Sequence, residues 1–168
     1  MLLLTGCRRS ELGDLKWSEV DLEARTITLP RERTKNGKEH VVPLTGAAME
    51  ILTTVRRREG EYVFGRMGRS GFCAWTSGKR ELDGVLEQPW TVHDLRRTVR
   101  TGLGKLGVQP HIAEGVLNHL PPKLIRTYDT NKYEAEKRAA LDQWASHLKI
   151  IVAQATGANV TALRKPKG

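Results

Sequence analysis

Cysteine is scarce in this chain. Cys7 and Cys73 stand far apart, and neither has a neighbour at metal-ligand spacing, so a zinc site is not expected. Two distant cysteines in a basic chain with no export signal are expected to stay reduced. Long apolar runs are missing too. A membrane span needs ~20 apolar residues, and no stretch approaches that length. A secretory signal needs a basic start and an apolar core of roughly 7–15 residues. Here leucines follow Met1 directly with no basic residue before them, so "LTGC", Leu4 to Cys7, is not read as a lipoprotein cleavage box. "MLLLTG" reads instead as the tail of a helix whose beginning is missing, as in a fragment or a product shortened at its front. There is no internal repeat and no second core, so a single domain is expected.

What the chain does have is positive charge. Lysine and arginine outnumber aspartate and glutamate 28 to 19, a net charge of +9 on 168 residues, while 39% hydrophobic residues suffice for a folded, soluble domain. Such a domain ordinarily faces a polyanion, with nucleic acid first. A bare solubility role would give the same charge. Anionic lipid ranks lower, because no long basic amphipathic helix is found, and no membrane partner is expected.

Hydrophobic period organises the rest. Residues 8–17, "RRSELGDLKW", read as a short helix with Leu12 and Leu15 on one face. "TITL" and "HVVPL" flank the turn signal "KNGK", predicting an antiparallel hairpin with a basic tip and Pro43 at the end of an edge strand. Thr45 is placed to cap a helix with the stripe Ala48, Ile51, Leu52 and Val55. Gly65 to Gly78 reads as a loop with a short helix inside or after it. A helix opens near His93, lined by Leu95, Val99, Leu103 and Leu106, and Gly107 ends it. Ile112, Val116 and Leu117 mark a second helix after Pro110, and "PPKLIRTYDT" a short third. Leu141, Trp144, Leu148 and Ile151 mark a long final helix. The fold class is therefore α+β, mostly helical with a small antiparallel sheet. The expected division is one domain over residues 1–154 and a mobile basic tail over 155–168.

Within "HDLRRT", helical spacing puts His93, Arg96, Arg97 and Arg100 on one side, rotated by about a third of a turn from the leucine and valine stripe. A charge run on a helix is ordinarily a solvated face. Arginine also offers a planar fork matched to phosphate oxygens, and a helix start adds free N–H groups. Further polar groups fall in order along the chain. Arg8 sits at a break between apolar helical stretches, in "TGCRRSEL". Lys35 and Lys38 sit at the hairpin tip. His119 ends an apolar helix in "LNH", and Tyr128 follows nine residues later in "LIRTYDT". Taken singly, each is an ordinary surface or packing residue.

In this order, "TGCRRSEL", a hairpin lysine, "HDLRRT", the helix-ending histidine and the tyrosine resemble the tyrosine recombinases, the phage integrase family, over about residues 2–150. The resemblance implies that the tyrosine recombinase catalytic fold carries a site-specific DNA recombinase. Tyr128 would attack a DNA phosphodiester and leave a 3′-phosphotyrosyl link. Arg8 and Arg96 would clamp the non-bridging oxygens, with a further hydrogen bond from His119. Lys35, which matches better than Lys38 because it precedes the turn glycine, would protonate the leaving 5′-oxygen. His93 would act as base or orient the tyrosine. Arg33, Lys38, Arg97 and Arg100 would contact the DNA backbone. Neither cofactor nor metal is implied, in keeping with the lack of a carboxylate cluster.

Asn118 stands where the family usually has glycine, and tolerates the same left-handed backbone. Tyr133 is assigned a structural role, and Glu11 a local buttressing one. The partner implied is double-stranded DNA, met by a chain that is monomeric alone and tetrameric on paired sites, in the cytoplasm of a bacterial or phage-derived system. The family's N-terminal DNA-gripping domain is not seen in this sequence. A remnant that holds DNA without recombining it, or a topoisomerase with the same tyrosine chemistry, remain as alternatives.

Overall fold

Two short helical turns meet at Gly6. The computed structural model describes residues 1–57, 59–65, 67, 69–83, 88–122, 128–129 and 131–156. Helix α1 (Leu2–Thr5) ends where Gly6 takes a left-handed φ of 64°. A Cβ there would lie 2.8 Å from Leu117 Cδ2 and 3.3 Å from Val99 Cγ1, so both the backbone and the close approach require glycine. Helix α2 (Arg9–Gly13) follows. It is shorter than the helix expected over 8–17, yet Leu12 and the post-helical Leu15 are both buried as expected.

Three short antiparallel strands come next, β1 (Val20–Asp21), β2 (Thr26–Leu29) and β3 (His40–Pro43), in the order β1-β2-β3. The expected hairpin is β2–β3, with Ile27 opposite Val42 and Leu29 opposite His40. Ile27 and Leu29 alternate into the core, and Pro43 closes the edge strand. Strand β1 was not foreseen, because two residues carry no period. Between β2 and β3 the chain makes a 3₁₀ turn at Arg31–Arg33 and reverses at Gly37, whose φ is 65°.

Thr45 caps α3 (Gly46–Thr54) as expected, its hydroxyl oxygen accepting the Ala48 N–H at 3.3 Å. Helix α4 (Trp75–Asp83) follows the glycine-rich segment. Helices α5 (Val92–Lys105), α6 (Pro110–Val116) and α7 (Glu134–Ala155) then complete one core with α2, α3 and the sheet. Helices α5 and α7 approach closely because Gly102 has no side chain; a Cβ there would stand 2.2 Å from the Trp144 ring. Trp144 Nε1 also donates to the Leu3 carbonyl at 2.7 Å, so α7 holds α1 as well. The mostly helical α+β expectation is what the structure shows.

Some details differ or lie elsewhere. Ile151 is exposed rather than part of the packing stripe. The short helix expected in "PPKLIRTYDT" falls mainly on residues 123–127 and 130, outside those described, and most of the expected mobile tail, 157–168, lies outside them too. Both cysteines are free, Cys7 buried and Cys73 exposed. Among the described residues no helix is long and apolar enough to cross a membrane.

His40 is the polar exception in the sheet. It is buried on β3, and its Nε2 has no hydrogen-bond partner among the described residues. Burial, then the neighbouring Lys137 ammonium, holds its imidazole down to about 4 from an ordinary 6.5. Between those values the unfolded chain binds the proton and the folded chain does not, so stability falls as pH drops. This contribution is complete above pH 6.5 and is lost progressively towards pH 4. Urea unfolding should therefore show a midpoint that declines from pH 6.5 to pH 4 more steeply in the wild type than in His40→Leu; parallel declines would contradict the assignment.

Candidate active site

Helix α5 starts with the "HDLRRT" box, and each of its residues has a separate task. Asp94 Oδ2 accepts the Thr91 N–H at 2.8 Å and the Thr91 hydroxyl at 2.7 Å, closing a capping box. Those bonds, with a further one from Arg97, hold the Asp94 carboxyl down to about 2. His93 is exposed.

Arg96 departs from the expected surface face, because only 5% of it is exposed. Arg96, Val99 and Leu103 stand at i, i+3 and i+7, so the arginine leaves α5 along its packing stripe. Its two terminal nitrogens donate to the backbone carbonyls of Gly6 and Leu117. Burial lowers its pKa, although a guanidinium stays charged throughout. The basic side expected for α5 is thus divided. Arg97 is exposed and pairs with Asp94 at 2.8 Å, and Arg100 Nε donates to Glu114 at 2.7 Å.

Arg8 is the N-cap of α2, immediately after the Gly6 bend. Its N–H donates to Glu11 Oε2 and its Nη1 to Glu11 Oε1, both at 2.7 Å. Glu11 is fully buried and so fixes Arg8, as the expected buttress. Arg33 holds the other side of this turn, donating to Glu19 and, at 3.0 Å, to the Glu11 carbonyl. Burial pushes the Cys7 thiol up to about 12, so it adds no negative charge beside the two arginines.

These segments surround a cleft of about 580 Å³ that gathers Arg8, Lys35, His93 and Arg96 from the α1–α2 bend, the β2–β3 tip and α5. Lys79 of α4 joins them, a residue for which sequence reasoning had no signal. No carboxylate is among the described residues lining the cleft. Arg8 is paired with Glu11 and Lys79 with Asp83, yet these carboxylates are not among the described lining residues, so the cations that line the cleft suit an anion with several oxygens. Lys38 lines a different cleft, with Lys132 and Lys137, which separates the two candidate lysines.

His119 and Tyr128 are not among the described lining residues. Helix α6 ends with Asn118 at φ 52°, the left-handed backbone expected there. The Asn118 N–H donates to the Gly115 carbonyl at 3.1 Å and the His119 N–H to that of Glu114 at 2.9 Å, a Schellman closure that sets the histidine's direction. His119 Nδ1 meets Glu114 Oε2. Burial of Glu114 works against its ionisation, but hydrogen bonds from Arg100 and His119 keep its carboxyl below the ordinary value. A carboxylate can only accept, so Nδ1 donates and Nε2 is the nitrogen left for other contacts. Glu114 was missed in the sequence; its only signal was its place one turn before the histidine.

Tyr128 is 82% exposed. Tyr133 is engaged instead: its hydroxyl donates to Asp129 at 2.7 Å, its ring meets His111 edge-on, and it precedes α7 with φ 49°. The Asp129 bond pushes its phenol pKa up. This agrees with the structural role expected of Tyr133.

The phage integrase family model matches residues 1–135. The chain belongs to the phage integrase family. Among its relatives, this integrase-family chain is 32% identical over 159 residues to prophage integrase IntZ of Escherichia coli (strain K12), covering 91% of the chain and 39% of the relative. It is 28% identical over 156 residues to prophage integrase IntA of the same strain, covering 88% and 37%. It thus spans well under half the length of these curated relatives. Among solved structures, the integrase from mycobacterium phage Brujita aligns with a TM-score of 0.67 at 19% identity, covering 85% of this chain and 49% of that one. XerA recombinase aligns with a TM-score of 0.58 at 22% identity, covering 84% and 55%. These two likenesses show the tyrosine recombinase catalytic fold.

The two central arginines of the integrase box should separate cleanly in stability measurements. Arg96→Met strands two buried carbonyls and should cost about 2–4 kcal/mol of unfolding free energy. Arg97→Met should stay within about 0.5 kcal/mol of wild type. Equal effects in chemical denaturation would show that the Arg96 bonds do not support the fold.

Proposed function

We propose that this chain is the catalytic part of a site-specific DNA recombinase that cuts and rejoins strands through a 3′-phosphotyrosyl intermediate. The observation that carries the reading is the single cleft in which Arg8, Lys35, His93 and Arg96 converge. In the proposed step the Tyr128 oxygen bonds to phosphorus as the P–O5′ bond breaks. The phenolic proton passes to His93 or to water, since a phenol with a pKa near ~10 attacks poorly while protonated. Lys35 gives its proton to the departing O5′. Arg8 and Arg96 bind the non-bridging oxygens where charge accumulates, joined by a hydrogen bond from His119. Rejoining runs these transfers backwards with a new 5′-hydroxyl, so no high-energy cofactor enters.

Tyr128 is exposed, so its hydroxyl is open to an incoming phosphate. The backbone contacts proposed for Lys38 and Arg97 use exposed cations. Arg33 and Arg100, held by Glu19 and Glu114, act through those partners instead. DNA as substrate is supported by a structural relative, the Tn1549 transposon integrase, solved in complex with circular intermediate DNA and aligned with a TM-score of 0.55 at 20% identity. The catalytic unit is proposed to occupy residues 1–154. It acts in the cytoplasm, as a monomer alone and a tetramer on paired sites. The family match and the prophage integrase relatives favour neither a topoisomerase nor a DNA-holding remnant.

A nicked duplex that releases a short strand on cleavage tests this directly, because the covalent adduct then survives denaturant. Wild type and Tyr133→Phe should form the adduct and Tyr128→Phe should not. An adduct retained by Tyr128→Phe and lost by Tyr133→Phe would overturn the nucleophile. No adduct from wild type, with salt-sensitive DNA binding intact, would overturn the recombinase reading.

A further inference from the structure

The β2–β3 tip that carries Lys35 reaches the end of α6 that carries His119 through one side-chain pair. Asn36 Nδ2 donates to both the backbone carbonyl and the Oδ1 of Asn118, each at 2.9 Å. Asn118 Nδ2 returns a longer bond of 3.4 Å to Asn36 Oδ1. The same Oδ1 accepts the Lys38 N–H at 3.0 Å, so Asn36 also holds its own turn closed. The Thr34 hydroxyl adds local bonds to the carbonyls of Arg31 and Lys38, and on the β2 side Arg33 donates to Glu19 and to the Glu11 carbonyl, which leaves the tip itself to Asn36. From Asn36 to Glu39, among the described residues, the other side-chain link to a distant segment is the exposed 3.9 Å ion pair of Glu39 with Lys132.

The pair has an unusual origin. Asn118 occupies the left-handed position that closes α6, where glycine fits the backbone at least as well. A glycine there would leave nothing for Asn36 to grasp except the carbonyl. The asparagine side chain therefore does something that helix closure does not need. It faces the residue next to Lys35 and lies next to His119.

We infer that Asn36 and Asn118 form a clasp that positions Lys35, holding the hairpin tip so that its lysine faces the cleft with Arg8, His93 and Arg96. This rests on Lys35 being the proton donor to O5′. Neither asparagine touches the reacting atoms; both are positioning residues. A flexible tip would present Lys35 correctly only part of the time, and proton donation would fall by that fraction. The arginines are anchored separately, through Glu11, Gly6 and Leu117, so charge stabilisation at the phosphate is left intact.

The test compares two suicide duplexes, one with the ordinary 5′-oxygen and one with bridging 5′-sulfur. A thiolate leaves without a proton donor because a thiol pKa is ~8.5, whereas an alkoxide is far more basic and leaves poorly unless it is protonated. Asn36→Ala and Asn118→Gly should each slow adduct formation on the oxygen substrate by about tenfold and stay within about twofold of wild type on the sulfur substrate. The double variant should be no slower than Asn36→Ala, because both act on one clasp. Equal slowing on both substrates, or none on either, would overturn the clasp.

Lys35→Ala separates the two readings. If sulfur fails to restore it while wild type cleaves both substrates, the assignment of Lys35 as acid falls. Amide exchange at residues 35–39 needs no catalysis. It should quicken in Asn36→Ala and Asn118→Gly, and unchanged exchange would overturn the clasp even in a chain that does not cleave.

Discussion

The site depends on one buried guanidinium. Arg96 rises from the packing face of α5 and donates to the carbonyls of Gly6 and Leu117, tying the α1–α2 bend to the end of α6. A buried arginine is tolerated only when its donors are met, and two main-chain carbonyls meet them here. Fixing Arg96 also fixes what lies beside it. Arg8 follows the bend at Gly6, and Asn118 and His119 follow Leu117. Gly6 must be glycine for the bend to come close enough. The cation proposed to grip phosphate is therefore also the strut around which the cleft is assembled.

A second layer of acids arranges the remaining cations without entering the cleft. Glu11 holds Arg8 and Glu114 holds Arg100 and His119, while Asp94 is spent on capping α5. None of these carboxylates is among the described lining residues of the cleft. That arrangement suits an anionic substrate, because cations held rigid need no reorganisation when charge develops. It also separates the arginines by role, with Arg97 left at the surface.

Much of this was legible before the fold was seen. The hairpin, the Thr45 cap and the buried Val99 and Leu103 followed from turn chemistry and period, which are local properties, and the left-handed Asn118 from the family resemblance. Of the residues that converge in the cleft, Arg8, Lys35, His93 and Arg96 were legible as a motif order rather than as geometry, and Lys79 was not legible at all. What period could not show was the burial of Arg96. Counting an arginine as polar assigns it to the solvent face, whereas its position at three and seven residues from Val99 and Leu103 puts it on the core stripe. Glu114 and Asn36 escaped for a related reason. Their partners are set by tertiary contact: Asn36 meets a residue far along the chain, and Glu114 needs α5 beside it to bring Arg100 within reach. Strand β1 was too short to show a period at all.

The most direct test of the account is a structure of the chain with a nicked DNA duplex and orthovanadate, which adopts the trigonal-bipyramidal geometry of the proposed transition state. The account predicts vanadium between Arg8 and Arg96, with Tyr128 Oη as one apical ligand and the 5′-oxygen, beside Lys35 Nζ, as the other. Vanadate bound away from the two arginines, or Tyr133 in the apical position, would contradict it.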